Sequence, residues 1–155
     1  PHLRLDYAGI REELGAMGIS APTAREVAEA VIRIRRRKLP DPAVVGNAGS
    51  FFKNPIVSQA QADALLVDYP TLPVFRGDAP HNRKLSAAWM IEACGWKGHR
   101  DGDAGVSAAH ALVLVNHGQA TGTALLGLAR LLADSVHARF CVGIEPEPKI
   151  LRARW

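Results

Sequence analysis

Apolar residues return at helical spacing in two long stretches of this chain. Thr23 and Glu26 have the spacing of a capping box, and Val27, Ala30, Val31 and Ile34 then recur at three- and four-residue intervals until Pro40, predicting a helix that ends in a basic run. Leu125, Leu128, Leu132 and Val136 repeat in the same way, predicting an amphipathic helix over Thr123 to His137 with that stripe inward. Shorter helices are expected over Gly9 to Met17, stopped by Gly18, over Ser58 to Leu66 behind a serine cap, and over Leu85 to Cys94, ended by Gly95. Strand signals are weaker. Leu3 to Tyr7 alternates, Pro40 to Gly49 reads as loop, Ser50 to Lys53 as a short extended segment, and Ala111 to Val115 as a buried strand. Phe140 to Ile144 and Lys149 to Arg152 are expected as closing strands, with Pro146 and Pro148 at an edge because proline cannot donate to a ladder. Helices and strands out of strict alternation predict an α+β fold: a single domain over residues 1–155, with a small, mainly antiparallel sheet packed against several helices.

Composition narrows the class. A chain of 155 residues buries roughly 70% of the surface that its unfolded form exposes, enough for a real core. With 48% apolar and 22% charged residues, the chain is neither disordered nor fibrous. The longest apolar runs, near Ala111 to Val115 and Ala124 to Leu132, fall well short of the ~20 residues that span a bilayer. No basic start followed by an apolar run marks a secretory signal, so the expected compartment is the cytoplasm, with no membrane partner. Cys94 and Cys141 are far apart and without metal-ligand spacing, and are expected as small buried hydrophobes. Much of the +4 net charge sits in Arg33, Arg35, Arg36, Arg37 and Lys38, a run that suits phosphate groups or, equally, a solvated helical face.

The sharpest local pattern is GNAGSFFKNP, Gly46 to Pro55. Glycines before Ser50 allow close approach of a ligand and leave the hydroxyl facing it; the alternative is a tight turn in which Ser50 bonds its own backbone. Pattern alone leaves both open. Phe52 stands where a G-x-S-x-G elbow needs glycine, and neither a phosphate loop nor a dinucleotide fingerprint occurs. In IEPEPK, Ile144 to Lys149, two carboxylates two residues apart share one face of an extended segment, either serving a pocket or standing as solvated edge charges. His99, Asp101 and Asp103 invite a metal reading, but the EF-hand pattern fails at Ala104, and no metal site is expected. His2, His81, His110, His117 and His137 show no paired spacing on a helix face. Trp89 and Met90 are expected in the core.

Taken together, KLPDP at Lys38 to Pro42, GNAGSFFKNP and IEPEPK resemble, in order and spacing, the C-terminal substrate-binding domain of the UDP-N-acetylenolpyruvoylglucosamine reductase family. LPVF at Leu72 to Phe75, the Lys84 to Trp89 helix start, the Trp96 segment and HALVLVN at His110 to Asn116 extend the likeness over nearly the whole chain. The resemblance implies an oxidoreductase that turns UDP-N-acetylglucosamine enolpyruvate into UDP-N-acetylmuramate for peptidoglycan, with NADPH reducing FAD and the flavin passing hydride to the substrate. It implies Ser50 as proton donor and Glu147, with an arginine from another part of the protein, as stabiliser of the enol-like intermediate. Tyr7, Lys38, Asn54 and Lys84 fall where the family grips the diphosphate or uridine end. Phe75 stands where some relatives have tyrosine, and His110 and Lys149 where some have glutamine and arginine, so these too are expected against substrate, with Gly49 against the cofactor. The family's N-terminal FAD-binding region is expected to be absent from this chain and to be its partner, so that the chain alone is expected to be colourless and inactive.

Two other readings stand beside it. A stand-alone nucleotide-sugar binding module uses the same phosphate-gripping residues without redox chemistry. A nucleic-acid binder built on Arg33 to Lys38 lacks aromatic interleaving and any known module, so no nucleic-acid partner is expected.

Overall fold

The computed structural model describes residues 3–5, 9–151 and 154–155. Contacts divide the chain into two compact units, Pro1–Asp41 and Pro42–Trp155. Residues 3–5 are not in a strand, and Tyr7, on which both a strand and a ligand contact were expected, lies outside the described residues.

The first unit pairs α1, Ile10–Ala16, with α2, Ala24–Lys38. Gly9 precedes α1 in the left-handed region at φ 89°, a conformation that costs an L side chain but not glycine. The predicted capping box forms in full: Glu26 Oε2 accepts from the Thr23 N–H at 2.7 Å, and Thr23 Oγ1 accepts from the Glu26 N–H at 3.4 Å. Ile10, Leu14, Ala30 and Ile34 make a small buried core. Beside it, buried Glu13 accepts from both terminal nitrogens of Arg37, Nη1 at 3.2 Å. Arg33 Nε bonds Glu29 Oε1 at 3.1 Å. Part of the basic run therefore fastens its own helix pair, and four cations in the last turn of α2 complement the negative end of the helix dipole.

The second unit runs β1 Gly46–Ser50, β2 Ile56–Ser58, α3 Gln59–Asp68, β3 Val74–Arg76, β4 Asn82–Leu85, α4 Ala87–Ala93, β5 Arg100–Asp101, β6 Ala104–Val106, β7 Val113–Asn116 and α5 Gly122–Phe140. All pairings are antiparallel, in one sheet ordered β1-β7-β6-β5 and another ordered β2-β4-β3, so the α+β class holds with two small sheets. The predicted stripe of α5 is inward: Leu128, Leu132 and Val136 are buried, with Phe140 extending it. Each such side chain contributes roughly 1.5–3 kcal/mol on burial. Phe52, Leu85, Met90 and Ile91 meet it from the sheets and α4. Ser58, Ser86 and Thr121 cap α3, α4 and α5 through their hydroxyls.

Several expectations need correction. Gly46 to Gly49 is strand rather than loop, because β7 supplies the ladder that a glycine-rich segment cannot specify by itself. Leu85 ends β4 instead of opening a helix, and Phe140 ends α5 instead of opening a strand. No strand forms over Lys149 to Ile150, and the proline-rich segment contributes a single bridge, Phe52 to Pro146. Strands β2 to β6 carry two to four residues each, too few for a period to register. Cys141 is exposed at the end of α5 and Cys94 is half-buried, so neither is the buried hydrophobe expected.

Candidate functional site

The glycine-rich strand is bulged. Asn47 pairs with Val115 and Ser50 with Val113, so three steps along β1 oppose two along β7. The extra residue is accommodated by Gly49 at φ 77°, whose N–H donates to Asn47 Oδ1 at 3.0 Å while Asn47 Nδ2 donates to the Val45 carbonyl at 2.9 Å. A β-carbon on Gly49 would meet nothing within 4 Å, so glycine is required here by backbone conformation and not by crowding. The bulge re-aims the chain just before Ser50, which sits half-buried at the strand's end.

Phe51 is a pivot. Its N–H donates to the Leu112 carbonyl at 2.7 Å, while its carbonyl accepts from the Glu147 N–H at 2.7 Å. In a regular strand both groups of one residue face the same neighbour, so the split marks where the chain leaves β7 and joins the proline-rich segment. Lys53 N–H donates to the Glu145 carbonyl at 2.9 Å, which makes Phe52 and Pro146 a non-hydrogen-bonded pair. Proline is suited to that position, where no N–H is needed. With Pro146 opposite buried Phe52, Glu145 and Glu147 flank it, both exposed. Glu147, far from Ser50 in sequence, is therefore hydrogen-bonded to Phe51, the residue that follows Ser50, and neither Ser50 nor Glu147 lines the clefts that Phe51 borders.

A cleft of about 300 Å³ lies against the bulge, lined by Gly46, Asn47, Ala48, Gly49, Phe51, Leu114, Asn116 and Leu125. Phe51 and Leu125 also border a second, of about 450 Å³, with Ile150 and Leu151. Asn116 and Leu125 were not expected at a site, Leu125 being read only as part of the inward stripe of α5. Asn116 Oδ1 accepts from the Gly118 and Ala120 N–H groups, both at 3.0 Å, and so shapes the turn into α5.

The other expected residues are distributed unevenly. Asn54 Oδ1 accepts from the Ala87 N–H at 3.0 Å, satisfying an unpaired donor at the start of α4. His110 sits in the turn into β7, where its Nδ1 accepts from the Leu112 N–H at 3.3 Å, close in the chain to the carbonyl that Phe51 uses. Lys149 is exposed two residues beyond Glu147. Lys84 on β4 pairs with Phe75 on β3 and Ile56 on β2, and the Phe75 side chain is exposed. Lys38 is exposed in the last turn of α2, within the first unit.

Sequence reading missed Arg76 and Arg83. They are directly opposed across β3 and β4, an arrangement that is unfavourable for like charges, and with Val74, Phe75 and Pro80 they line a cleft of about 480 Å³. Arg83 is steadied by Gln59 Oε1 at 2.9 Å and the Pro80 carbonyl at 3.1 Å. Neither arginine falls in a motif, and only strand pairing brings the two charges together. Among the described residues no group of three or more His, Cys, Asp or Glu is placed to hold a metal. Asp103 instead accepts from the Gln119 N–H at 2.8 Å and from Arg100 Nη2 at 3.2 Å, and the backbone hydrogen bond foremost holds its carboxyl below the usual range. No described helix is long and apolar enough to cross a membrane.

The profile of a family described as UDP-N-acetylenolpyruvoylglucosamine reductase, C-terminal domain, matches residues 41–151. A UDP-N-acetylenolpyruvoylglucosamine reductase of Xylella fastidiosa (strain 9a5c) is 60% identical over 153 residues, which cover 99% of this chain and 44% of that protein. The reductase of Xanthomonas euvesicatoria pv. vesicatoria (strain 85-10) is 61% identical with the same coverage. Among solved structures, UDP-N-acetylenolpyruvylglucosamine reductase from Thermus caldophilus is 28% identical, with a TM-score of 0.48 over 81% of this chain and 33% of that one. The chain spans less than half the length of the curated relatives that it matches.

Proposed function

The chain belongs to the UDP-N-acetylenolpyruvoylglucosamine reductase family, and from that membership we propose that it is the substrate-binding and proton-donating domain of a flavoenzyme making UDP-N-acetylmuramate for peptidoglycan. The observation that carries this reading is the Phe52 to Pro146 bridge with its Glu147 to Phe51 hydrogen bond, which joins the two motif segments around Ser50. The reaction needs a hydride at one enolpyruvyl carbon and a proton at the carbon next to the carboxylate. Ser50 holds that proton on Oγ, and a neutral donor does not repel the anionic substrate. Glu147, with an arginine from elsewhere in the protein, steadies the enol-like intermediate.

The bulge side of the smaller cleft offers Gly46, Ala48 and Gly49, with the Asn47 side chain bonded back to its own strand segment, a surface of small residues that fits the edge of a planar ring system. Gly49 lies on that surface and would face FAD. FAD, reduced by NADPH, would supply the hydride when bound. At the other end of the substrate, Lys84, and Phe75 in the cleft that it lines with Arg76 and Arg83, match a diphosphate and a stacking base: ammonium and guanidinium donors neutralise phosphate oxygens, and an exposed ring accepts a planar neighbour. Lys38, Asn54, His110, Lys149 and Tyr7 complete the set that we assign to substrate. A cytoplasmic location goes with this reading, and the remaining part of the protein is the partner.

The test uses the full-length protein in single-turnover kinetics. Ser50→Ala is expected to slow flavin reoxidation by substrate about 10²- to 10⁴-fold while leaving flavin reduction by NADPH unchanged. Equal slowing of both steps would remove Ser50 from the acid role.

A further inference from the structure

We propose that Trp155 is a positioning residue for this chemistry, bearing on the Phe51 pivot, which follows Ser50 in the chain and is hydrogen-bonded to Glu147; the inference rests on the function proposed above. The Trp155 ring lies 6.4 Å from the Phe51 ring and 6.0 Å from the Phe52 ring, and those two phenylalanines meet edge to face at 5.0 Å. The three rings form one cluster with unequal members. Phe52 is 1% exposed and anchored in the core, whereas Phe51 is half-buried and borders both clefts.

Phe51 is also the residue whose backbone divides its two hydrogen bonds between Leu112 and Glu147. Preceding it is a bulge closed by a positive-φ glycine and tied by the Asn47 side chain to the Val45 carbonyl and the Gly49 N–H, so the backbone is held on that side. The orientation of the Phe51 ring is set separately, by Phe52 and by Trp155. The tryptophan is itself braced, because Arg130 Nη2 on α5 donates to the carbonyl of the neighbouring Arg154. Two aromatic contacts within the 4.5–7 Å range thus connect α5, through Trp155, to the orientation of Phe51 and hence to the spacing of the acid and the carboxylate.

The decisive experiment compares Trp155→Ala, Trp155→Phe and Ser50→Ala in the full-length flavoprotein, following flavin absorbance separately during reduction by NADPH and reoxidation by substrate. Trp155→Ala is expected to slow reoxidation by about 10- to 100-fold, the scale of a displacement near 1 Å, with reduction unchanged. Trp155→Phe is expected to restore most of that loss, since a smaller ring still contacts both phenylalanines. Equal slowing of both half-reactions, no slowing, or no rescue by phenylalanine would overturn the role of Trp155. Failure of Ser50→Ala to affect reoxidation would instead overturn the underlying functional reading, whatever Trp155→Ala does.

Discussion

The two units are held together by different means. Among its described residues the first has four buried apolar side chains, and it leans on a capping box and the Glu13 to Arg37 ion pair. The second packs α3, α4, α5 and both sheets around one extensive apolar core, with the candidate acid and carboxylate on its edge. A site built on a large core tolerates local strain, such as the bulge at Gly49, because the surrounding contacts fix it. A helix pair with little to bury depends on individual polar contacts, and those respond to pH and to single substitutions.

Perturbations ranked by expected size sharpen that contrast. Phe52→Ala should act most strongly: it opens a cavity in the core and removes one half of the bridge to Pro146, at a cost of about 3–5 kcal/mol. Denaturant unfolding of the second unit would measure it, and a loss confined to the first unit would break the comparison. Gly49→Ala comes next, at about 1–2 kcal/mol, because the new methyl meets open space and only the left-handed backbone resists it. Its thermal midpoint should fall accordingly, and an unchanged midpoint would mean that the bulge relaxes freely.

Thr23→Ala removes the cap of α2 and should cost about 1 kcal/mol, read as faster amide exchange across residues 24–38 and not in α5. The smallest effect is expected from acid. The Arg37 hydrogen bonds hold the Glu13 carboxyl below its usual range, against a lesser opposing effect of burial. For a carboxylate depressed in the folded state, the added stability is present above its unfolded value and is lost as pH falls through the folded one. Exchange protection in α1 and α2 should therefore decline below the ordinary carboxylate range, and Glu13→Gln should flatten that decline. A pH dependence identical in the variant would assign it to other groups, Glu26 among them, whose carboxyl is also lowered, first by the Thr23 backbone N–H.

The helices could be read because their causes are local. Thr23 with Glu26, and the Leu125 to Val136 stripe, carry caps and periods within a few residues, and α2 and α5 formed with ends close to those expected. Strands of two to four residues have no such signature, which is why Val74–Arg76 and Asn82–Leu85 went unseen and with them the opposed Arg76 and Arg83. The motif segments were visible as GNAGSFFKNP and IEPEPK, but nothing local says that they touch.

The sequence by itself determined the helices, the α+β class and the residues able to donate a proton or hold phosphate, because caps, periods and side-chain chemistry are encoded position by position. Only the tertiary structure decided that Gly46 to Ser50 is a strand, that Pro146 lies opposite Phe52, and that Asn54 caps a distant helix. Those outcomes depend on hydrogen-bond partners remote in the chain, and a backbone group's partner is not written in the residues around it.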